Sequence, residues 1–245
     1  MKNTNYLYYE NEIYEVLTNR KNESYIKDKI KNKYYFKTDF PNKEGIYLKR
    51  KIGDYIFPVL IFVSTILYII SFYKYFYIGK INNSNTFIII LESILFMLLN
   101  WVLHELGHMF TMLYYGRKIG NIKFKINYIF PTVSVETTDS YILPKFRRTY
   151  VYISGLMVNC ILVGIVTMLF PKYIYLNSFV LMSILFNFLP IGIVKSDGYH
   201  ILINILLNVN EYKNKKNGFF VFSQIIFFII CTIMGALTIY KLLVE

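Results

Sequence analysis

The sequence predicts an all-α polytopic membrane protein of about five transmembrane helices, with a small interfacial β-hairpin between the second and third. Three observations predict it. Hydrophobic residues make up 55% of the 245-residue chain and charged residues only 17%. Several apolar runs reach about 18 residues or more, the length a helix needs to cross a bilayer. The basic residues behind the net charge of +12 lie mainly between those runs, as cytoplasmic loops held against anionic lipid do. That charge would also suit nucleic acid, but no nucleic-acid motif accompanies it. Cys160 and Cys231 both fall inside predicted spans, so neither a disulfide framework nor a Cys-based zinc site is indicated.

Residues 1–54 read as a cytoplasmic, basic N-terminal segment with interspersed tyrosines and no cleavable signal peptide. Tyr6 to Tyr9 suggests a short strand, Glu12 to Leu17 a helix start, and Glu23 to Lys33 a second, charged helix. A segment with little fixed structure and a small partner-binding module are both open; the aromatics favour the module, because disordered tails carry few. Residues 55–245 form the membrane domain, with its core at about 86–205. Its spans are expected at 55–78, 86–116, 150–170, 173–194 and 218–243. Pro58 sits near the start of the first, where a helix tolerates it. The apolar stretch 200–209 is too short to span and reads as a half-helix.

Orientation follows from Lys and Arg, of which twelve lie in residues 1–54 and seven between Arg117 and Arg148. The positive-inside rule then places the N-terminus in the cytoplasm and the C-terminus outside. Between the second and third spans, Asn121-Ile-Lys-Phe-Lys-Ile-Asn-Tyr alternates polar and apolar residues. Pro131 interrupts this pattern and Thr132-Val-Ser-Val-Glu-Thr resumes it, giving two strands at the cytoplasmic interface. Such an edge can capture an extended substrate by strand addition, or be a mere connector.

The chemistry centres on His104-Glu105-Leu106-Gly107-His108 in the second span. Residues four apart share a helix face, so both imidazoles can reach a single metal. With this spacing a Glu after the first ligand acts as general base on water activated by zinc. A charged residue between two histidines in an apolar span is costly in lipid, which favours a functional reading. Gly155 permits close helix approach and Asn159, one turn later, can hydrogen-bond across helices. Near the end of the fourth span, Pro190, Gly192 and Gly198 allow irregular backbone, tolerated at membrane depth only when buried in protein or lining a wet cavity. Asp197 there and His104, about eighteen residues into its span, reach a similar depth on the predicted topology. Asp197 and His200 are the two candidates for a third ligand.

His-Glu-Leu-Gly-His in a span, Gly155-x-x-x-Asn159, and Asn187-x-x-Pro190 followed by Asp197-Gly198 together resemble the site-2 protease family of intramembrane zinc metalloproteases. Val135 to Pro144, followed by basic residues and the glycine helix, looks like its peptide zinc metalloprotease branch, often associated with peptide maturation or export. The resemblance covers roughly residues 95–205. It implies His104, His108 and Asp197 as zinc ligands, Glu105 as catalytic base, and Asn187 and Asn159 as substrate-positioning residues. Two departures stand out. Pro190 and Asp197 lie further apart than is usual in the family, and Leu156 stands where it commonly has proline.

The expected function is a zinc-dependent endopeptidase cutting a membrane-inserted or membrane-associated peptide near the cytoplasmic face of a bacterial cell membrane. Its partners are then a membrane peptide or protein substrate and the lipid bilayer. A catalytically idle zinc-binding membrane protein is the alternative, against which the intact Glu105 argues. A metal-ion transporter fits less well, because the spans lack the further acidic and His residues of a permeation path.

Overall fold

The computed structural model describes residues 3–38, 45–78, 86–127, 130–189 and 196–206, together with helical positions between 225 and 240. It corrects the all-α expectation at the N-terminus. Five antiparallel strands form there: β1 (Asn3–Glu10), β2 (Tyr14–Asn19), β3 (Glu23–Asp28), β4 (Lys33–Thr38) and β5 (Ile46–Lys49). Their order is β4-β3-β2-β1-β5, a meander whose last strand returns beside the first.

The helices expected at Glu12 and Glu23 are strands β2 and β3, and the reason is local. Side-chain oxygens of Asn11, Asn19 and Asp28 each accept backbone N–H bonds from residues two to four further on. Such bonds compete with helix and favour turns. Asn22 and Asn32 then take left-handed φ values of 57° and 48°, which asparagine tolerates better than most residues. The sheet is buried along β3 on both faces. That two-sided burial erases the polar–apolar alternation by which a strand is usually recognised.

One face of the sheet packs Leu17 and Tyr25 against Ile142, with Tyr6, Tyr8, Tyr34, Phe36 and Leu48 around them. Ile142 belongs to a short 3-10 turn, Thr138–Ile142, at the foot of the membrane part. Four charged side chains fasten this contact. Arg117 donates to Glu15 and Asp139 at 2.6 and 2.9 Å, while Lys27 pairs with Asp139 and lies 3.8 Å from Glu15. Tyr34 Oη and the Lys118 N–H also donate to Asp139.

Among the described residues, three helices are long and apolar enough to cross a membrane. They are α1 (Gly53–Tyr73, running on through a wider turn to Ile78), α2 (Thr86–Tyr114) and α3 (Lys145–Leu169). The helix α3 is central, packing against α1, α2 and two further helices, α4 (Asn177–Phe188) and α5 (Asp197–Leu206). It starts earlier than hydropathy suggests, because its first-turn arginines are paired. Arg147 donates to Asp54 at 2.7 Å, and Arg148 donates to the carbonyls of Ser140, Tyr141 and Leu143.

The expected fourth span is a second correction. A 3-10 turn, Pro171–Leu176, precedes α4, which is only 12 residues long. At 1.5 Å per residue that is about 18 Å, short of a hydrocarbon core of about 30 Å. Pro190 and Gly192 lie outside the described residues, as does most of the expected fifth span. The interfacial hairpin is present as β6 (Ile122–Asn127) and β7 (Phe130–Val135). Pro131 sits within β7, opposite Ile126; in a two-stranded sheet each strand has a free edge, where proline is tolerated.

The Asp139 cluster gives a stability prediction. Burial works against its charge, but hydrogen bonds from Arg117 and Lys27 outweigh that and hold its carboxyl well below the usual range. A depressed folded-state pKa stabilises above the unfolded value, about 4, and the contribution is lost as pH falls below it. Asp139→Ala at neutral pH leaves Glu15 as the carboxylate shared by Arg117 and Lys27 and is expected to destabilise the docked sheet by about 1–3 kcal/mol. Faster hydrogen exchange in β2 and β3, with α3 unchanged, is the expected result.

Candidate metal centre

The three motifs of the sequence meet where α2, α3 and α5 pack together. His104 and His108 lie one turn apart on α2, both buried, with their Nε2 atoms 3.1 Å from one another. Asp197, the first residue of α5, places Oδ2 at 2.9 Å from His104 Nε2 and 3.5 Å from His108 Nε2. That oxygen is buried without a hydrogen-bond partner. Three lone-pair atoms thus face one point.

Each imidazole is held from behind. His108 Nδ1 is 2.6 Å from the Val151 carbonyl, so it carries the proton, and Nε2 presents its lone pair. His104 Nδ1 lies 3.2 Å from the Asn159 side-chain amide. Asn159 is fully buried; it sits behind the ligand pair and not on an open substrate side. Its Oδ1 has no partner. Rotating the amide by half a turn would let Oδ1 accept a hydrogen bond from His104 Nδ1–H, and the oxygen and nitrogen of an amide are assigned from such networks.

Gly155 explains why the motif needs a glycine. A Cβ there would lie 2.6 Å from the Nε2 atoms of both histidines. The space beside the two Nε2 atoms is therefore kept clear by the absence of a side chain. Gly198 plays the matching part for α5, since a Cβ would fall 1.8 Å from the Phe188 carbonyl. Asn187 adjoins Gly198 through its backbone oxygen, and its half-buried side chain makes no hydrogen bond among the described residues.

Glu105 is turned differently. One of its carboxylate oxygens lies within 4.8 Å of the ligand atoms of both histidines, yet Oε2 accepts the Val135 N–H at 2.8 Å. The hairpin strand β7 therefore rests on the Glu105 side of α2. His200, the other candidate ligand, stacks on Tyr152 with ring centroids 5.3 Å apart and also abuts Tyr199. Asp197, and not His200, contacts the histidine pair.

The donors fit zinc. Tetrahedral coordination at about 2.0–2.1 Å puts ligand atoms about 3.3 Å apart, inside the 2.9–3.5 Å spread seen here. Two His nitrogens and a carboxylate oxygen match a catalytic zinc set.

Two features were not anticipated from sequence. Asn100 is buried one turn before His104 on the same face, bonded to the Phe96 carbonyl; its i, i+4, i+8 spacing with the histidines was a usable signal. The contact of Val135 with Glu105 left no trace in the sequence.

The chain is similar to a Bacillus subtilis (strain 168) protein named "Putative peptide zinc metalloprotease protein YydH". They are 29% identical over 229 residues, covering 86% of this chain and 88% of that protein. This agrees with the resemblance carried by the three motifs. No family model and no solved structure matches.

The geometry predicts the effect of two substitutions on metal content. Gly155→Ala pushes a methyl group against both Nε2 atoms and is expected to abolish stoichiometric zinc in purified protein. Asn159→Ala removes an outer partner and should weaken zinc about 10–100-fold. His200→Ala should retain the metal. Elemental analysis under competing chelator reads all three.

Proposed function

We propose that the protein is a zinc-dependent endopeptidase of the site-2 protease type that cuts a membrane-inserted or membrane-associated peptide near the cytoplasmic face. The observation that carries this reading is the convergence of His104, His108 and Asp197 on one point with Glu105 beside them. The similarity to a protein named as a zinc metalloprotease supports peptidase function broadly, and three membrane-length helices support its setting.

His104, His108 and Asp197 would hold zinc, which supplies Lewis acidity toward a carbonyl and toward water. Glu105 takes the proton from the attacking water and returns it to the leaving amine. Its bond from the Val135 N–H orients the carboxylate. Substrate unwinds into an extended form and lies against β7, whose free edge faces the site. Asn187, beside the break between α4 and α5, positions the peptide, and Asn159 orients His104. The distribution of Lys and Arg puts the N-terminal sheet in the cytoplasm, on the side where substrate arrives. Maturation or export of a peptide is the role this chemistry suits.

Glu105→Gln tests the reading. The side chains are nearly isosteric, but an amide is not a useful base at neutral pH. Zinc should be retained while turnover falls by about 10²–10⁴-fold. Peptide profiles of membranes carrying wild type or Glu105→Gln should differ by species left uncut in the variant; identical profiles would leave zinc with a structural role.

A further inference from the structure

We propose that strand β4, with the cavity beside it, binds an acidic, extended peptide segment and holds it next to the hairpin strand that touches Glu105. This deepens the protease reading, from which it takes its occupant. β4 is the end strand of the sheet, paired only with β3. One row of its backbone groups is therefore unmatched within the sheet, and such an edge is a template for an extended chain. It is six residues long and rich in aromatics, Lys33-Tyr-Tyr-Phe-Lys-Thr38. The opposite edge, β5, has four residues and leads directly into α1, which leaves a peptide little room.

A cavity of about 370 Å³ adjoins β4, lined by Lys27 and Tyr34 from the sheet and by Lys118, Asn121, Glu136 and Asp139 from the membrane part. Its size lies within the roughly 300–1,000 Å³ of small-ligand sites. The carboxylates on its wall are already satisfied. Asp139 accepts from Lys27, Tyr34, Arg117 and the Lys118 N–H; Glu136 accepts from Thr138 and pairs with Lys123. Lys118 on the cavity wall and Lys33, which is not on that wall but opens the edge strand β4, are both exposed and form no ion pair with a described residue. The charge left for a ligand is therefore positive, and the ligand acidic.

Continuity with the site gives the cavity its purpose. Glu136 lines it, and the preceding residue, Val135, donates its N–H to Glu105. A peptide anchored along β4 is thus delivered one residue from the catalytic strand. Lysines on an edge strand can also serve only to discourage aggregation, and basic surface near a membrane can hold lipid headgroups. The cavity and its adjacency to β7 favour a peptide over both.

The test reads binding, not cleavage. Full-length Glu105→Gln protein in phosphatidylcholine nanodiscs is titrated with a fluorescein-labelled decapeptide of alternating Glu and Val. Two control probes replace Glu with Lys, or carry N-methyl groups on alternate residues. The acidic probe is expected to bind at least about tenfold more tightly than either control. Lys33→Glu combined with Lys118→Glu should weaken it about tenfold with zinc content unchanged. Equal binding of acidic and basic probes, or of the N-methylated probe, overturns the proposal. So does undiminished binding by the double variant; a concurrent loss of sedimentation with phosphatidylglycerol vesicles would then assign the lysines to lipid. Because the probe is never cut, failure of the protease reading would appear separately, as identical membrane peptide profiles with probe binding intact.

Discussion

Two imidazole nitrogens and a carboxylate oxygen lie within 3.5 Å of one another in the membrane part. Lone pairs at that distance repel unless a cation or shared protons lie between them, so the fold must hold them against their own preference. The helix that does most of this holding, α3, contributes none of the three atoms. One of its faces presents the Val151 carbonyl to His108, open space at Gly155, and the Asn159 amide to His104. The same helix fixes α5. Asn204 donates to the Lys145 carbonyl and to Thr149 Oγ1, and His200 stacks on Tyr152. Those contacts set the register of α5 along α3, and with it the depth of Asp197.

Burying charge is costly unless each group finds partners, and the end of the helices that carries the sheet shows how that cost is met. Asp54 takes Arg147 in a two-pronged bond and also accepts from Tyr115 Oη. This ties the starts of α1 and α3 to the end of α2. A few residues further on, Glu15, Lys27, Arg117 and Asp139 bring together two strands of the sheet, the exit of α2 and the segment after β7. The sheet is thus mounted on the loops that flank the site, not merely tethered by a linker. A displacement of the sheet would be felt at Asp139, four residues from the N–H that orients Glu105.

The parts of this arrangement that were legible in the sequence are those carried by a single helix. The pairing of His104 with His108 follows from spacing alone, and the first three spans follow from hydropathy, to within a few residues at their ends. The hairpin was legible because polar and apolar residues alternate in the sequence at 121–128 and 132–137. The N-terminal sheet was not, because β3 is buried on both faces and mixes Ser, Lys and Asp with Tyr and Ile. Its turn signals, Asn11, Asn19 and Asp28 followed by Asn22 and Asn32, are present in the sequence, yet two of them, Asp28 and Asn32, fall inside the helix expected over residues 23–33. Asn159 was read as packing or substrate contact because nothing in one chain says which imbedded amide faces which imidazole. That required α3 to be placed against α2.

The shortened fourth span brings these threads to one place. A helix that continued through the bilayer would have no reason to stop, yet α4 ends at Phe188 and α5 begins at Asp197. Breaks at such depth leave unpaired carbonyls and N–H groups, which lipid cannot satisfy. Ser196 satisfies one of each: its hydroxyl donates to the Leu189 carbonyl at 2.6 Å and accepts the Tyr199 N–H at 3.3 Å. The next residue, Asp197, turns its carboxylate to the histidines, and Gly198 lets the end of α4 press against the start of α5. Cap, carboxylate and close approach thus occupy three successive positions. A continuous helix would satisfy its own backbone better but would forgo this capped start, from which the first residue of α5 reaches the histidines. The break is where the fold gives up helical regularity to complete the site.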